Sequence, residues 1–259
     1  MLVYEFAPKG SLCNVLHGTQ RLPLPLQTRL DIAAESAAAL EYMHLSVAPK
    51  IFHGDVKSGN ILLDENFMPK VSDFGTSRLL SIEKMYAESV NAIADTEYLD
   101  PVYARGLLNE KSDVYSCGIV LLELITREKP SYAGNNSLKM NFTDEKVREM
   151  YDEEIAFPDQ NIELLHKVGR VALTEQMDDR PSMKQVAESL ESIRRECEQM
   201  QGKQGDQVAD GTSIECSPVG ITMDASATDA EILESTLLCR SEMEKYALSV
   251  AYYPLKSVK

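Results

Sequence analysis

The sequence predicts a fold of the α+β class that is mainly α-helical, with small β ribbons and a polar C-terminal tail. Apolar residues recur at three- and four-residue steps through most of residues 26–198, which is the spacing of helices with one buried face. Short apolar runs separated by polar turns interrupt that spacing between Lys50 and Val71, which indicates small ribbons lying on helices. From residue 199 the chain is rich in Gln, Gly, Asp, Ser and Thr, which is typical of disorder.

The composition excludes several classes of protein. Of the 259 residues, 44% are hydrophobic and 26% are charged, as in soluble globular proteins. The formal net charge of -15 would repel a phosphate backbone, so we expect no nucleic-acid partner. The cysteines are scattered without the short spacing of a zinc site, and we expect free thiols in a reducing compartment.

The most apolar stretch runs from Val114 to Ile125 and is interrupted by Glu123. A membrane-spanning helix needs about 20 apolar residues, so this stretch predicts a helix buried in a protein core. The start of the chain has neither the basic region nor the apolar core of a signal peptide. We therefore expect a chain without a transmembrane segment that is cytoplasmic when considered by itself.

The first predicted elements are the end of a strand at Leu2-Val3-Tyr4 and a helix for which Ser11 is the N-cap. The next is a long helix from Leu26, whose buried face is predicted to consist of Leu26, Leu30, Ala33, Ala37, Leu40 and His44. The ribbons are expected at residues 51–52, 61–63 and 69–71. Helical spacing then resumes near Lys111, Thr143, Asn161 and Pro181, with Pro181 placed in a first helical turn.

A change of composition near Glu198 predicts the domain boundary. Residues 1–198 are expected to form the folded domain, and residues 199–259 an acidic polar tail that is mostly disordered. Within the tail, residues 230–251 have an amphipathic pattern, which leaves open either a docking helix or a weakly ordered segment.

Two short motifs carry the groups that phosphoryl transfer requires. The first is His53-Gly54-Asp55-Val56-Lys57-Ser58-Gly59-Asn60, and the second is Asp73-Phe74-Gly75. The reaction needs a carboxylate base, a cation for the moving phosphoryl group and oxygen ligands for magnesium. Asp55 supplies the base, Lys57 the cation, and Asn60 and Asp73 the oxygen ligands. Either motif alone is a weak signal, but their order and the two β runs between them favour this chemistry strongly.

The first motif resembles the catalytic loop of protein kinases, and the second resembles their magnesium-binding motif. The resemblance extends from Leu2 to about Arg195. It implies the C-lobe of a protein kinase, a helical bundle with small ribbons, and it implies ATP and magnesium as cofactors.

The resemblance also implies roles for further residues. The segment from Leu2 to Phe6 resembles the hinge of plant receptor-like kinases, so the backbones of Glu5 and Ala7 would face adenine and Leu62 would close the pocket from below. The structural residues that it implies are His53, Phe74, Asp113 and Arg180, with Asp113 anchoring the backbone of the catalytic loop.

Two longer phrases, residues 53–80 and 99–116, resemble the wall-associated kinase-like branch of the plant receptor kinases. Members of that branch are membrane-spanning receptors with a cytoplasmic serine/threonine kinase domain. The resemblance therefore implies a protein substrate, signal transduction and a place on the cytoplasmic side of the plasma membrane.

The sequence departs from the kinase pattern at its start, because only three residues precede Tyr4. The Gly-rich loop and the β3 lysine of the N-lobe, which hold the phosphates, are not found there. We therefore expect this chain to represent the hinge and C-lobe, to be truncated at the N-terminus, and to have little or no catalytic activity in isolation.

Three substitutions also depart from the pattern. Gly54 replaces an arginine that would pair with a phosphorylated loop, which predicts weak dependence on loop phosphorylation. Asp95 replaces a threonine near Asp55, where its charge would compete for Lys57 or raise the pKa of the base, unless the adjacent Thr96 compensates by a one-residue shift. Val102 replaces the glutamate partner of Arg180, which is therefore expected to find another acceptor or to be more exposed.

The loop between Thr76 and Leu99 contains two candidate phosphosites, Ser89 and Thr96.

Three hypotheses about function remain open from the sequence. The first is a serine/threonine kinase represented by a fragment. The second is a non-catalytic scaffold or decoy that binds intact receptor-like kinases. The third is a degenerate product without a stable fold.

Overall fold

The computed structural model describes residues 5–19, 22–74, 78–79, 87–88, 97–100, 107–130, 147–172 and 179–205. The helices in these ranges are α1 (Leu12–His17), α2 (Leu26–Leu45), α3 (Glu110–Thr126), α4 (Val147–Met150), α5 (Glu153–Ala156), α6 (Gln160–Ala172) and α7 (Met183–Gly205). The strands are β1 (Gly10–Ser11), β2 (Ile51–Phe52), β3 (Ile61–Leu63), β4 (Pro69–Val71), β5 (Arg78–Leu79), β6 (Ala87–Glu88) and β7 (Leu107–Leu108). The prediction of a mainly helical fold with small ribbons is confirmed.

Helix α2 buries the face that the sequence predicts. All six residues of the predicted stripe, from Leu26 to His44, are buried. At the start of α1 the hydroxyl of Ser11 accepts a hydrogen bond from the backbone N–H of Asn14 (3.2 Å), which confirms the predicted N-cap.

Helix α3 is the central element of the core. Asn109 and Ser112 form a capping box at its first turn, so the helix begins at Glu110, one residue before the predicted start. Every residue from Val114 to Ile125 except Ser116 is buried, including Glu123. The predicted buried helix is confirmed, and no helix among the described residues has both the length and the apolarity to cross a membrane.

The ribbons place the two predicted motifs at the same end of one small sheet. Strand β3 pairs antiparallel with β1 and with β4, and β2 pairs antiparallel with β5. Residues 53–60 therefore connect β2 to β3, and residues 72–74 follow β4. The antiparallel pair of β3 and β4 therefore brings the second motif back beside the first.

Helix α7 packs mainly against α2, and the guanidinium of Arg194 lies 2.9 Å from Oε1 of Glu35 across this contact.

The prediction that Pro181 lies in a first helical turn is wrong, because Ser182 caps the helix. Its hydroxyl accepts from the N–H of Gln185, and its own N–H donates to the side chain of Gln185. The helix continues to Gly205, past the composition change at residue 198, while Thr143 and residues 206–259 lie outside the described residues.

Replacing Gly118 with alanine is expected to lower the free energy of unfolding by about 1–3 kcal/mol. A Cβ there would lie 2.6 Å from the backbone oxygen of Ala172, so α3 and α6 would have to separate. Gly202 is the matched control, because it is helical and exposed, with no atom within 4 Å of an added Cβ. Gly202→Ala is expected to raise stability by about 0.5–1 kcal/mol. Urea unfolding of the full chain measures both, and equal effects would contradict the close helix contact.

Candidate active site

The segment from His53 to Asn60 brings Asp55, Lys57 and Asn60 together. The Nζ atom of Lys57 lies 2.9 Å from Oδ2 of Asp55, and their side chains are 22% and 11% exposed. The side-chain amide of Asn60 donates to the backbone oxygen of Asp55 (2.8 Å) and to its Oδ2 atom (3.0 Å). A 3-10 turn from Ser58 to Asn60 holds this arrangement, which leaves a partly exposed carboxylate beside a cation.

Asp73 is placed next to this cluster by the residue before it. The N–H and the hydroxyl of Ser72 both donate to the backbone oxygen of Asn60, at 2.8 and 2.9 Å. Nε2 of His53 donates to the backbone oxygen of Ser72 (3.0 Å), and the rings of His53 and Phe74 lie 5.1 Å apart. Asp73 itself is exposed and has a φ of 63°, a left-handed conformation that is uncommon for residues other than glycine.

These residues are chemically suited to magnesium. Because Asn60 uses its amide hydrogens on Asp55, the amide oxygen remains the group that could ligate a cation. The exposed carboxylate of Asp73 is a second oxygen donor, and magnesium prefers oxygen ligands supplemented by water. Within the described ranges, no group of three or more His, Cys, Asp and Glu side chains is arranged to hold a metal ion.

Asp113 lies beneath the loop and fixes its backbone. It is 1% exposed, and its carboxylate accepts from the N–H groups of His53 (2.8 Å) and Gly54 (2.9 Å). The Nε2 atom of His44 donates to the same carboxylate at 2.8 Å. Burial alone would raise the pKa of Asp113, but these donors and the nearby imidazoles lower it below its usual value.

Gly54 adopts a φ of 77°, a region in which side chains other than glycine are strained. Its N–H points to Asp113, so the conformation is required by the same contact that anchors the loop. An arginine at this position would have to adopt the strained conformation, whereas glycine adopts it at little cost.

The predicted adenine-facing residues have contacts in different parts of the small β1–β3–β4 sheet. Ser11 pairs with Leu62, which is partly buried, and the carbonyl of Ala7 accepts from the N–H of Gly10 at 3.0 Å. The carboxylate of Glu5 lies 3.1 Å from Nζ of Lys70 on the surface. The sheet pairing therefore places Ser11, which follows the predicted hinge segment, beside Leu62, whereas Glu5 contacts Lys70 of β4.

Arg180 is buried and takes Asp100 as its acceptor. Its Nη1 and Nη2 atoms donate to the two carboxylate oxygens at 2.7 and 3.0 Å, and its guanidinium lies over the ring of Tyr115. The sequence left two expectations for Arg180, another acceptor or greater exposure, and the structure confirms another acceptor. Val102 lies outside the described residues, as do Tyr4, Gly75, Ser89, Asp95 and Thr96.

Sequence reasoning missed the roles of two buried side chains. The helical spacing placed His44 on the buried face of α2, but it gave no indication of its partner Asp113 on another helix. Glu123 was visible only as the charge that interrupts an apolar run, and in the structure it is 0% exposed. A charged residue at a position that helical spacing buries is the signal that could have marked it.

Comparison with known proteins gives a match to the family model described as "Protein kinase domain" over residues 1–190. LRR receptor-like serine/threonine-protein kinase ERECTA of Arabidopsis thaliana is 42% identical over 201 residues, which cover 74% of this chain and 20% of that protein. Wall-associated receptor kinase 3 of Arabidopsis thaliana is 40% identical over 209 residues, covering 76% of this chain and 28% of that protein. Wall-associated receptor kinase-like 20 of the same species is 37% identical over 214 residues, covering 74% and 33%.

The chain spans between a fifth and a third of the length of these relatives. The leucine-rich-repeat and wall-associated receptor kinases match it about equally well, so these comparisons do not separate the two branches.

Proposed function

This chain belongs to the protein kinase domain family, and we propose that it carries the base and the magnesium ligands of a serine/threonine protein kinase. The observation that carries the proposal is the cluster of Asp55, Lys57 and Asn60, with Asp73 following a residue bonded to Asn60. A carboxylate, a cation and neutral and anionic oxygen donors are the groups that phosphoryl transfer to a hydroxyl uses.

Asp55 is proposed to accept the proton of a serine or threonine hydroxyl. Its Oδ2 atom is oriented by Asn60 and Lys57, which leaves the carboxylate fixed for proton acceptance at the surface of the loop. Lys57 would neutralise negative charge on the transferred group, since its Nζ lies beside the base and is partly exposed. Asn60 and Asp73 would hold magnesium, which when bound supplies the positive charge that the ATP phosphates require.

Finer parts of the proposal rest on the relatives. Because the matching proteins are plant receptor kinases, the proposed substrate is a protein and the proposed location is the cytoplasmic side of the plasma membrane. The wall-associated branch remains a prediction that rests on the two phrases over residues 53–80 and 99–116.

Magnesium–ATP, at about 100 times its Kd, is expected to raise the Tm of the full chain by roughly 5–10 °C. Asp73→Asn should remove the magnesium-dependent part of this shift, because it removes the anionic ligand. Asp55→Asn should leave the Tm shift unchanged. Where phosphate transfer to a test protein is measurable, Asp55→Asn should reduce the transfer rate by roughly 100- to 10,000-fold. Differential scanning fluorimetry with and without magnesium, together with a radiolabel transfer assay, measures both.

Asp159→Asn is the control for these substitutions. It also removes a carboxylate, but one that is 85% exposed and paired only with Arg148 among the described residues. A wild-type chain without magnesium-dependent stabilisation, or equal losses in Asp73→Asn and Asp159→Asn, would contradict the proposed magnesium site.

A further inference from the structure

Glu123 is a buried carboxylate in the middle of the most apolar helix. Its side chain is 0% exposed, and transfer of an ionised carboxylate from water to such a place is unfavourable unless its oxygens are hydrogen-bonded. The position is therefore stable only through the groups that surround it, and these groups come from three other segments of the chain.

Three side chains donate to the two oxygens of Glu123. The hydroxyl of Ser58 (2.9 Å) and Nε2 of His17 (2.8 Å) donate to Oε1, and the hydroxyl of Tyr98 donates to Oε2 (2.7 Å). The hydroxyls of Ser58 and Tyr98 also lie 3.0 Å apart. Burial and the nearby Glu123 raise the pKa of Tyr98, so its hydroxyl stays protonated and donates.

Among the described residues, Glu123 has no lysine or arginine partner, and the basic group beside it is the imidazole of His17. The side chain of His17 is 5% exposed and comes from the last turn of α1. Nε2 of His17 and the hydroxyl of Ser58 both donate to Oε1 of Glu123. The imidazole therefore restricts the direction from which Oε1 can accept the hydrogen bond of the serine.

Ser58 connects this cluster to the candidate active site. It follows Lys57 directly and begins the 3-10 turn that ends at Asn60. The N–H of Asn60 donates to the backbone oxygen of Lys57, and the N–H of Ser72 donates to the backbone oxygen of Asn60. A displacement of Ser58 would therefore be transmitted to Lys57, Asn60 and the residue before Asp73.

We propose that His17 is a positioning residue for the catalytic loop, which acts by holding the carboxylate of Glu123 against Ser58. The C-terminal end of helix α1 is thereby attached to the loop. The N-terminal end of α1 follows strand β1, which pairs beside Leu62. The inference rests on the proposed function only in that it names residues 53–60 as catalytic.

A purely structural role for His17 is the competing explanation. A basic residue in the last turn of a helix interacts favourably with the helix dipole, and its loss would loosen α1 alone. The two explanations differ in where the effect of a substitution appears. The proposal requires a change in the catalytic loop, whereas the competing explanation confines the change to residues 12–18.

The test is amide hydrogen exchange of the full chain, read at Asn60 and Ser72, whose acceptors lie in the loop. His17→Leu removes the donor and is expected to speed exchange at both amides by roughly tenfold. His17→Gln carries an N–H donor near the position of Nε2 and is expected to restore exchange to near the wild-type rate. Should His17→Leu fail to fold, His17→Asn replaces it, since its shorter polar side chain does not reach Glu123.

Ser11→Ala is the matched control, because it removes the N-cap of α1 without touching Glu123. It should speed exchange at the amide of Gly18, which donates to Asn14 within α1, and leave Asn60 and Ser72 unchanged. Faster exchange in the His17 variants that is confined to α1, or a failure of His17→Gln to restore the loop amides, would overturn the proposal. The readout needs neither nucleotide nor phosphate transfer, so a chain without magnesium-dependent stabilisation would contradict the proposed function and leave this test intact.

Discussion

Replacing Arg29 with alanine is expected to lower the free energy of unfolding by about 3–5 kcal/mol, because it breaks a buried ion pair from one side. Arg29 is 1% exposed, and its Nη2 atom lies 2.5 Å from Oδ2 of Asp152 and 3.2 Å from Oε2 of Glu154. Its other nitrogens donate to the backbone oxygens of Leu24 and Leu124. One side chain thus joins α2, the end of α3, the loop before α2 and the start of α5.

The expected loss is large because the partners stay buried after the substitution. Asp152 would lose its closest cation, and the guanidinium of Arg127 lies farther away, at 3.6 Å. Burial lowers the pKa of Arg29, and the hydrogen bond and charge of Asp152 only partly offset this, which shows how strongly the guanidinium depends on its acceptors.

Arg148 offers a control with the same geometry on the surface. Its Nη2 atom lies 2.5 Å from Oδ1 of Asp159, but the two side chains are 63% and 85% exposed. Arg148→Ala is therefore expected to change stability by less than about 1 kcal/mol. Urea unfolding of the full chain at neutral pH measures both variants. Equal losses, or a small loss for Arg29→Ala, would show that the buried pair is not the source of stability.

The local pattern of the sequence was sufficient for much of the fold. The stripe from Leu26 to His44 and the buried run from Val114 to Ile125 follow helical spacing, and burial of one face dictates such spacing wherever the partner lies. Strands β2, β3 and β4 were predictable from short runs between polar turns, whereas β1, β5, β6 and β7 were not predicted. The order of the two motifs also predicted a common site, and the pairing of β3 with β4 explains why they meet.

The long-range polar contacts were not predictable from local pattern. Arg29 binds Asp152, and His44 binds Asp113, across 123 and 69 positions of sequence. Nothing in the spacing around either residue specifies its partner. Arg180 is an intermediate case. The valine at position 102 predicted either another acceptor or greater exposure, while the choice of Asp100 depends on how its segment packs against α3.

Asp113→Ala is also expected to lower the free energy of unfolding, by about 3–5 kcal/mol at neutral pH. Two backbone N–H groups and the imidazole of His44 would lose their acceptor in a site that water does not reach. Because the two N–H groups belong to His53 and Gly54, the loss should also loosen the loop at residues 53–60. Chemical unfolding of the full chain measures the stability, with Asp159→Asn as the exposed control.

The charge of Asp113 makes part of this stability depend on pH. Its pKa is lower in the folded chain than the value of about 3.9 in the unfolded chain, so the ionised form stabilises the fold. That contribution is fully present well above pH 4 and is lost as the pH falls through the lowered folded pKa. The stability difference between wild type and Asp113→Asn should therefore be largest at neutral pH and should shrink in acid.

Comparison with the asparagine variant isolates this one group among the many carboxylates of the chain. Every other acid titrates in both proteins, so its effect cancels in the difference, whereas position 113 titrates only in wild type. For Asp159→Asn the difference should be small at every pH, since that side chain is 85% exposed. A difference between wild type and Asp113→Asn that stays constant down to pH 2 would mean that folding does not shift the pKa of Asp113. A difference that grows in favour of wild type as the pH falls towards 4 would mean that the loop is held by a neutral acid.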